Sequence, residues 1–236
     1  MTQTVSSQGT ADAVLFDLDG TLLDSAADFA AVIADFCQEY GWQEPSQQAL
    51  HQKVSAGARA MLTLASGIPD SAPEFGKLLE EFLDRYEQQI REPVADLYPG
   101  IPALLESLEN HRIPWGIVTN KPVRFSKPIL QSLGIHRTCA TLICPDHVKT
   151  RKPSPEPLLL AARQLGLQPQ QCIYVGDHQR DIQAGHAADM KTVAAGYGYL
   201  PLPNNDDELG IQDWNADYIV DNVAELHSLL LRLLAR

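Results

Sequence analysis

Residues 14–24 read Val-Leu-Phe-Asp-Leu-Asp-Gly-Thr-Leu-Leu-Asp, and they decide how the rest of the chain is read. The apolar start, Val14 to Phe16, predicts a short buried strand. Two carboxylates one residue apart, Asp17 and Asp19, end it, and Gly20 permits a tight turn with close backbone approach. An Asp-Gly turn explains Asp19 and Gly20. It does not explain Asp17, because a buried strand end without chemistry favours an apolar side chain. Negative charge delivered to the edge of a sheet needs a cation or a proton.

Outward from this stretch, short apolar runs alternate with helical ones. Strands are predicted at 14–16, 115–118, 141–144, 172–175, 192–195 and 218–220. Helices are predicted at 101–110, 123–133, 155–165, 181–188 and 223–234, the last with Asn222 as N-cap. Strict alternation predicts an α/β fold: a doubly wound parallel sheet with helices on both faces. The interval before Trp115 breaks the rhythm, being far longer than a crossover needs. Residues 27–40, 47–65 and 73–90 read as helices only, punctuated by Gly41, Pro45, Gly67, Pro69 and Pro73. The expected organisation is a core of residues 1–24 and 93–236, with residues 25–92 inserted as a small all-helical cap domain.

The chain has 236 residues and a net charge of −12. That charge makes nucleic acid and anionic membrane surfaces poor partners, and an anionic substrate must find a local positive site. No apolar run is long enough to span a membrane, and Met1 to Thr10 lacks the basic and apolar regions of a signal peptide, so a loose tail and a cytoplasmic location are expected. The four cysteines, Cys37, Cys139, Cys144 and Cys172, sit mostly among apolar neighbours and read as free thiols. Residues 201–215 read as an exposed acidic loop.

Open parallel sheets bind ligands beyond the carboxyl ends of their strands. Collected there, the first strand supplies Asp17 and Asp19. The second supplies Thr119, Asn120 and Lys121. The stretch after the third supplies Lys149, Arg151 and Lys152, and the fourth supplies Gly176, Asp177 and Asp181. Asp17, Asp177 and Asp181 suit a hard cation such as Mg2+, while Thr119, backbone amides and a lysine suit a tetrahedral oxyanion. Neither a Gly-x-x-x-x-Gly-Lys-Ser/Thr loop nor a Gly-x-Gly-x-x-Gly is present, which disfavours nucleotide-dependent transfer of the P-loop kind.

These four segments resemble the motifs of the haloacid dehalogenase superfamily. Asp17-Leu-Asp19-Gly-Thr-Leu is similar to its first motif, Val118-Thr119-Asn120 to its second, Lys152-Pro153 to its third and Gly176-Asp177-x-x-x-Asp181 to its fourth. They occur in the family's order, and the helical insert sits where that family carries a C1 cap. The resemblance implies a Mg2+-dependent phosphate monoester hydrolase. Asp17 is then the nucleophile, forming an aspartyl-phosphate, and Asp19 the general acid and base. Metal ligation falls to Asp17, the Asp19 carbonyl and Asp177, phosphate binding to Thr119, Asn120, Lys121 and Lys152, and a supporting part to Asp181. An aspartate at position 19 sets the chain apart from dehalogenases and phosphonoacetaldehyde hydrolases. Lys53, in the cap, therefore reads as an ordinary exposed lysine rather than a Schiff-base one.

Within the superfamily the resemblance is to the phosphoglycolate-phosphatase-like subgroup, through Val118-Thr-Asn-Lys-Pro and Lys152-Pro-Ser-Pro-Glu-Pro-Leu. Residues 54–61, 119–125, 142–149 and 197–199 are similar to phosphatases that act on N-acetylmuramic acid 6-phosphate in cell-wall recycling. The expected substrate is that ester, with 2-phosphoglycolate the alternative. Both carry a carboxylate, which Arg59 on the cap could grip, although a solvated arginine on a helix reads the same way. Two rivals stand beside this reading. A sugar-phosphate mutase of the same architecture needs cap groups that gate Asp19, and no cap His or Lys clearly matches. A non-catalytic relative would be expected to lack one of Asp17, Asp19 or Lys152, all of which are present. His178 and Tyr197 and Tyr199 lie close to the motifs. Whether the protein is a monomer or a homodimer is open.

Overall fold

The computed structural model describes residues 11–200 and 209–234. The tail expected over residues 1–10, and residues 201–208 of the expected loop, lie outside them. Six parallel strands form one sheet: β1 (Ala13–Phe16), β4 (Trp115–Val118), β5 (Thr141–Ile143), β6 (Cys172–Gly176), β7 (Lys191–Ala195) and β8 (Tyr218–Val220), ordered β5-β4-β1-β6-β7-β8. All six follow the predicted strands to within a residue. β1 lies at the centre, with Phe16 registered against Ile117 on one side and Val175 on the other. Its four residues are fully buried, as a strand covered on both faces requires. Asp17 and Asp177 therefore leave adjacent strand ends on the same edge.

Alternation along the strands divides the core in two. Val14, Phe16, Ile117, Ile173 and Val175 pack against α5 (Ile101–Asn110), α6 (Val123–Ser132) and α9 (Val223–Leu234). Ala13, Leu15, Val118, Ile143 and Tyr174 pack against α7 (Glu156–Leu165) and α8 (Gln179–Ala187). Helices thus cover both faces. The Asn222 side chain accepts from the Glu225 amide at 2.9 Å while donating to the Glu225 carboxylate, which makes it the cap of α9.

A second, two-stranded antiparallel ribbon joins β2 (Leu23–Asp24) to β3 (Asp96–Leu97). Nothing in the residue pattern marks it, since two-residue strands carry no periodicity. Everything between them is helical: α1 (Ala26–Tyr40), α2 (Gln47–His51), α3 (Ala58–Ser66) and α4 (Phe75–Gln89). The single helix expected over 47–65 is broken. α2 ends at His51, a 3-10 turn follows over Val54–Ala56, and Gly57, with φ +82°, starts α3 in a conformation that ends helical pairing. Phe29 of α1 stacks on Tyr86 of α4 at 4.3 Å and on Phe82 at 6.4 Å, contacts worth about 0.5–1.5 kcal/mol each beyond burial. The buried Asp28 carboxylate accepts from the amides of Val94 and Ala95, so it fixes the return of the chain to the sheet.

All four cysteines are free thiols. Among the described residues, no helix is long and apolar enough to cross a membrane.

Candidate active site

The carboxyl edge of β1, β4 and β6 gathers the residues read from the sequence. The Asp17 amide continues the ladder by donating to the Val175 carbonyl at 2.8 Å. Its carboxylate then faces the strand tip, where Oδ1 accepts from the Leu18 amide at 2.7 Å. The chain turns at once: the amides of Leu22 and Leu23 both donate to the Leu18 carbonyl. Gly20 makes this turn possible at φ +81°, and a Cβ there would lie 2.0 Å from Asp177 Oδ2. Gly198 approaches from the other side, where a Cβ would lie 2.3 Å from the Gly20 carbonyl. A Gly20→Ala variant is therefore expected to lose both stability and activity. Gly67→Ala, with φ +69° but open space around it, should cost only about 1 kcal/mol; comparing thermal melts and phosphate release of the two checks this.

Lys152 is the cation of the centre. Its side chain is wholly buried, with Nζ 3.0 Å from Asp17 Oδ1 and 2.7 Å from Asp181 Oδ1. It also donates to the Val118 carbonyl at 2.9 Å and to the Tyr174 hydroxyl at 2.7 Å. Asn120 braces it from behind. The Asn120 amide donates to the Lys152 carbonyl and accepts from the Lys152 amide, at 3.1 and 3.2 Å. Asp181 is further held by the His178 amide. Thr119 is buried beside these groups and its hydroxyl accepts from the Lys121 amide at 3.1 Å.

Asp19 stands apart from the Lys152 cluster. Its Oδ1 accepts from Lys121 Nζ at 2.8 Å. Lys121 itself lies beneath the helical insert, 5.2 Å from the Phe29 ring and 5.0 Å from the Tyr86 ring. Burial opposes its charge most strongly, but Asp19 and Tyr86 together outweigh burial and raise its pKa. Arg59 is exposed on the first turn of α3. Lys149 and Arg151 are exposed, as is Lys53.

Asp17, Asp177 and Asp181 each offer a carboxylate oxygen within 4.8 Å of the others, and all three are buried. Burial pushes the Asp17 carboxyl up to about 6, against the pull of Lys152. Burial and then Asp17 and Asp181 push Asp177 well above the usual carboxylate range. Asp177 is held by the Thr21 hydroxyl and the Tyr199 amide rather than by a cation. Burial also works against Asp181, yet Lys152 and Arg180 keep its carboxyl low. Three crowded carboxylates with one buried lysine suit a further hard cation bound through oxygen, which fits Mg2+.

Asp17 and Asp177 hold protons more tightly in the folded state than unfolded, so their stabilising contribution is complete below pH 3.8. The Asp17 share is lost as pH rises through about 6, and the Asp177 share as pH rises through its own raised pKa. Metal-free protein should therefore melt at falling temperatures from pH 4 to 6.5. Mg2+ should flatten that slope by stabilising the ionised carboxylates, which melting curves with and without chelator will show.

Tyr174 and Arg180 escaped the sequence reading, whereas Tyr199 lies close to the motifs in it. Tyr174 sits in a fully buried strand, where a phenol needs a polar partner; that was the available signal. Tyr199 ties the far loop to the site, with its amide on Asp177 and its hydroxyl on Asp24 at 2.7 Å. Arg180 reads as a surface residue of a helix. Its Nη2 instead donates to the Ser55 carbonyl of the helical insert at 2.9 Å.

Fold and site together define a doubly wound α/β enzyme with an acidic, lysine-countered centre at the carboxyl edge and a helical insert above it. The sequence profile of the haloacid dehalogenase-like hydrolases matches residues 14–195. The chain belongs to that family. It is 46% identical over 222 residues to the N-acetylmuramic acid 6-phosphate phosphatase of Pseudomonas aeruginosa, covering 94% of this chain and 96% of that protein. It is 44% identical over 214 residues to the phosphoglycolate phosphatase of Xanthomonas campestris pv. campestris, covering 91% and 94%. Among solved structures, a predicted phosphoglycolate phosphatase from Haemophilus somnus superimposes with a TM-score of 0.79 at 26% identity, covering 95% of this chain and 99% of that one.

Proposed function

We propose that this phosphoric monoester hydrolase acts on N-acetylmuramic acid 6-phosphate through an aspartyl-phosphate on Asp17. Identity over nearly the full length to relatives of that name in two Pseudomonas species, 46% and 43%, carries the substrate reading. The geometry at Asp17 supports the chemistry. A buried carboxylate at a strand tip, held 3.0 Å from Lys152, is oriented without being consumed by a backbone turn.

An Asp17 oxygen attacks phosphorus and the bond to the sugar oxygen breaks. Asp19 gives its proton to that leaving oxygen. It then takes a proton from water, which attacks the same phosphorus and releases phosphate and Asp17. Lys121 holds Asp19 through Oδ1, leaving the second oxygen for proton exchange. Thr119 and Lys152 receive the phosphoryl oxygens, while Asn120 keeps Lys152 in register. Mg2+ would be held by Asp17, the Asp19 carbonyl and Asp177, and would offset repulsion between two anions. Asp181 keeps Lys152 in place. Residues 25–92 act as a cap whose closure excludes water from the intermediate.

A second reading, 2-phosphoglycolate as substrate, is favoured by the names of the Xanthomonas relatives. A phosphate-release screen with Mg2+ separates the two. The expected order is N-acetylmuramic acid 6-phosphate above 2-phosphoglycolate above plain hexose 6-phosphates. Isomerisation of a hexose phosphate without release of phosphate would instead establish the mutase.

A further inference from the structure

Arg180 is one residue from Asp181 and three from Asp177, on the first turn of α8, yet it reaches across to the helical insert. Its guanidinium donates through one nitrogen, Nη2, to the Ser55 carbonyl. Two polar atoms of this same pair are buried without a hydrogen-bond partner: Arg180 Nε and Ser55 Oγ. One can only donate, and the other can donate or accept. Leaving them so is costly, more for the charged group. A single acceptor group with two oxygens would answer both, and a carboxylate is the group that matches a guanidinium fork.

The surroundings fit an ester with a polar body. A cavity of about 470 Å3 lies along α2, just before the turn that carries Ser55, lined by Gln47, Gln48, His51 and Gln52 on one side and by Gly198 and Leu200 on the other. Its size falls in the range of small-molecule sites, and three amide side chains suit hydroxyls or an N-acetyl group better than an apolar ligand. Gly198 backs directly onto Asp177, which puts the cavity beside the acidic centre. The Arg180 charge is also felt by Asp17, Asp177 and Asp181, so the guanidinium is near the reacting end as well.

We infer that Arg180, with Ser55, binds the non-reacting carboxylate of the substrate at the seam between core and cap. This deepens the substrate reading above and rests on it. It moves carboxylate recognition from the exposed Arg59 to a core residue that joins the cap, so the carboxylate itself helps to close the seam.

The test is a ratio. N-acetylmuramic acid 6-phosphate and N-acetylglucosamine 6-phosphate differ by the lactyl ether that carries the carboxylate, and 2-phosphoglycolate and ethyl phosphate differ by a carboxylate in place of a methyl. Arg180→Gln should lower kcat/KM for the carboxylated member of the preferred pair roughly 10- to 100-fold more than for its neutral counterpart, mainly through KM. Ser55→Ala, which leaves the backbone contact intact, should shift the same ratio by a few-fold. Arg59→Ala should leave it unchanged. Equal losses on both members with Arg180→Gln would make it a structural pin and overturn the inference. So would a selective loss with Arg59→Ala, or a wild-type enzyme indifferent to the carboxylate in both pairs. A wild type that prefers only 2-phosphoglycolate would overturn the substrate reading and leave Arg180 to be judged on the second pair. Should Arg180→Gln fail to fold, the Ser55→Ala ratio decides.

Discussion

Asp17→Asn is expected to reduce phosphate release by on the order of 10,000-fold or more while leaving the protein folded. The substitution keeps volume and removes the nucleophilic oxygen's charge. Its effect on stability should be small and of the opposite sign. Burial already pushes the Asp17 carboxyl up to about 6, so near neutral pH the folded protein holds a charge it would hold more easily as a neutral group. Asn retains an oxygen for the Leu18 amide, and Lys152 keeps Asp181 at 2.7 Å. The variant should melt at or above the wild-type temperature without metal, and should gain less from Mg2+ because one ligand is weaker. Loss of activity together with a collapse of the fold would assign Asp17 a structural role instead.

Lys152→Met should be the most destabilising single change at the site. It removes a buried ammonium that touches four partners, Asp17, Asp181, Val118 and Tyr174. Breaking a buried pair from one side typically costs about 3–5 kcal/mol, because the remaining charge is left uncompensated. Here three carboxylates would remain. Without the lysine the folded-state pKa values of Asp17 and Asp181 rise, so stability is retained at low pH and lost as pH rises. The melting deficit should therefore be largest near pH 8 and shrink toward pH 5. Mg2+ at a hundred times its dissociation constant should restore about 2.7 kcal/mol. Activity should not return with it, since the phosphoryl oxygens have lost their cation. A variant that melts like wild type at every pH would show that Lys152 does not hold the centre together.

The sheet was legible because its chemistry and its periodicity agree. β1, β4 and β6 are continuous apolar runs that end in polar residues, so strand ends and site residues identify one another. Their order across the sheet had to come from the structure, since parallel neighbours leave no mark in sequence spacing. The break at Gly57 was hidden by the helix-forming residues on either side of it, and the β2–β3 ribbon by its two-residue strands. Within the site, Asp17, Asp177, Asp181 and Lys152 converge as their spacing suggested. Asn120 and Lys121 were read as groups facing phosphate. The structure engages the first with the Lys152 backbone and the second with Asp19. Those partnerships join residues far apart in the chain, and single-sequence patterns do not carry them. Arg180 went unread for the same reason: its partner, Ser55, belongs to the helical insert.

The covalent step can be observed directly. Enzyme mixed with N-acetylmuramic acid 6-phosphate and Mg2+, quenched in acid across the first turnover and reduced with borohydride, should yield homoserine at position 17 and at no other aspartate. Free phosphate formed at every time point with position 17 unmodified, or the label on a different carboxylate, would contradict the nucleophile assigned to Asp17.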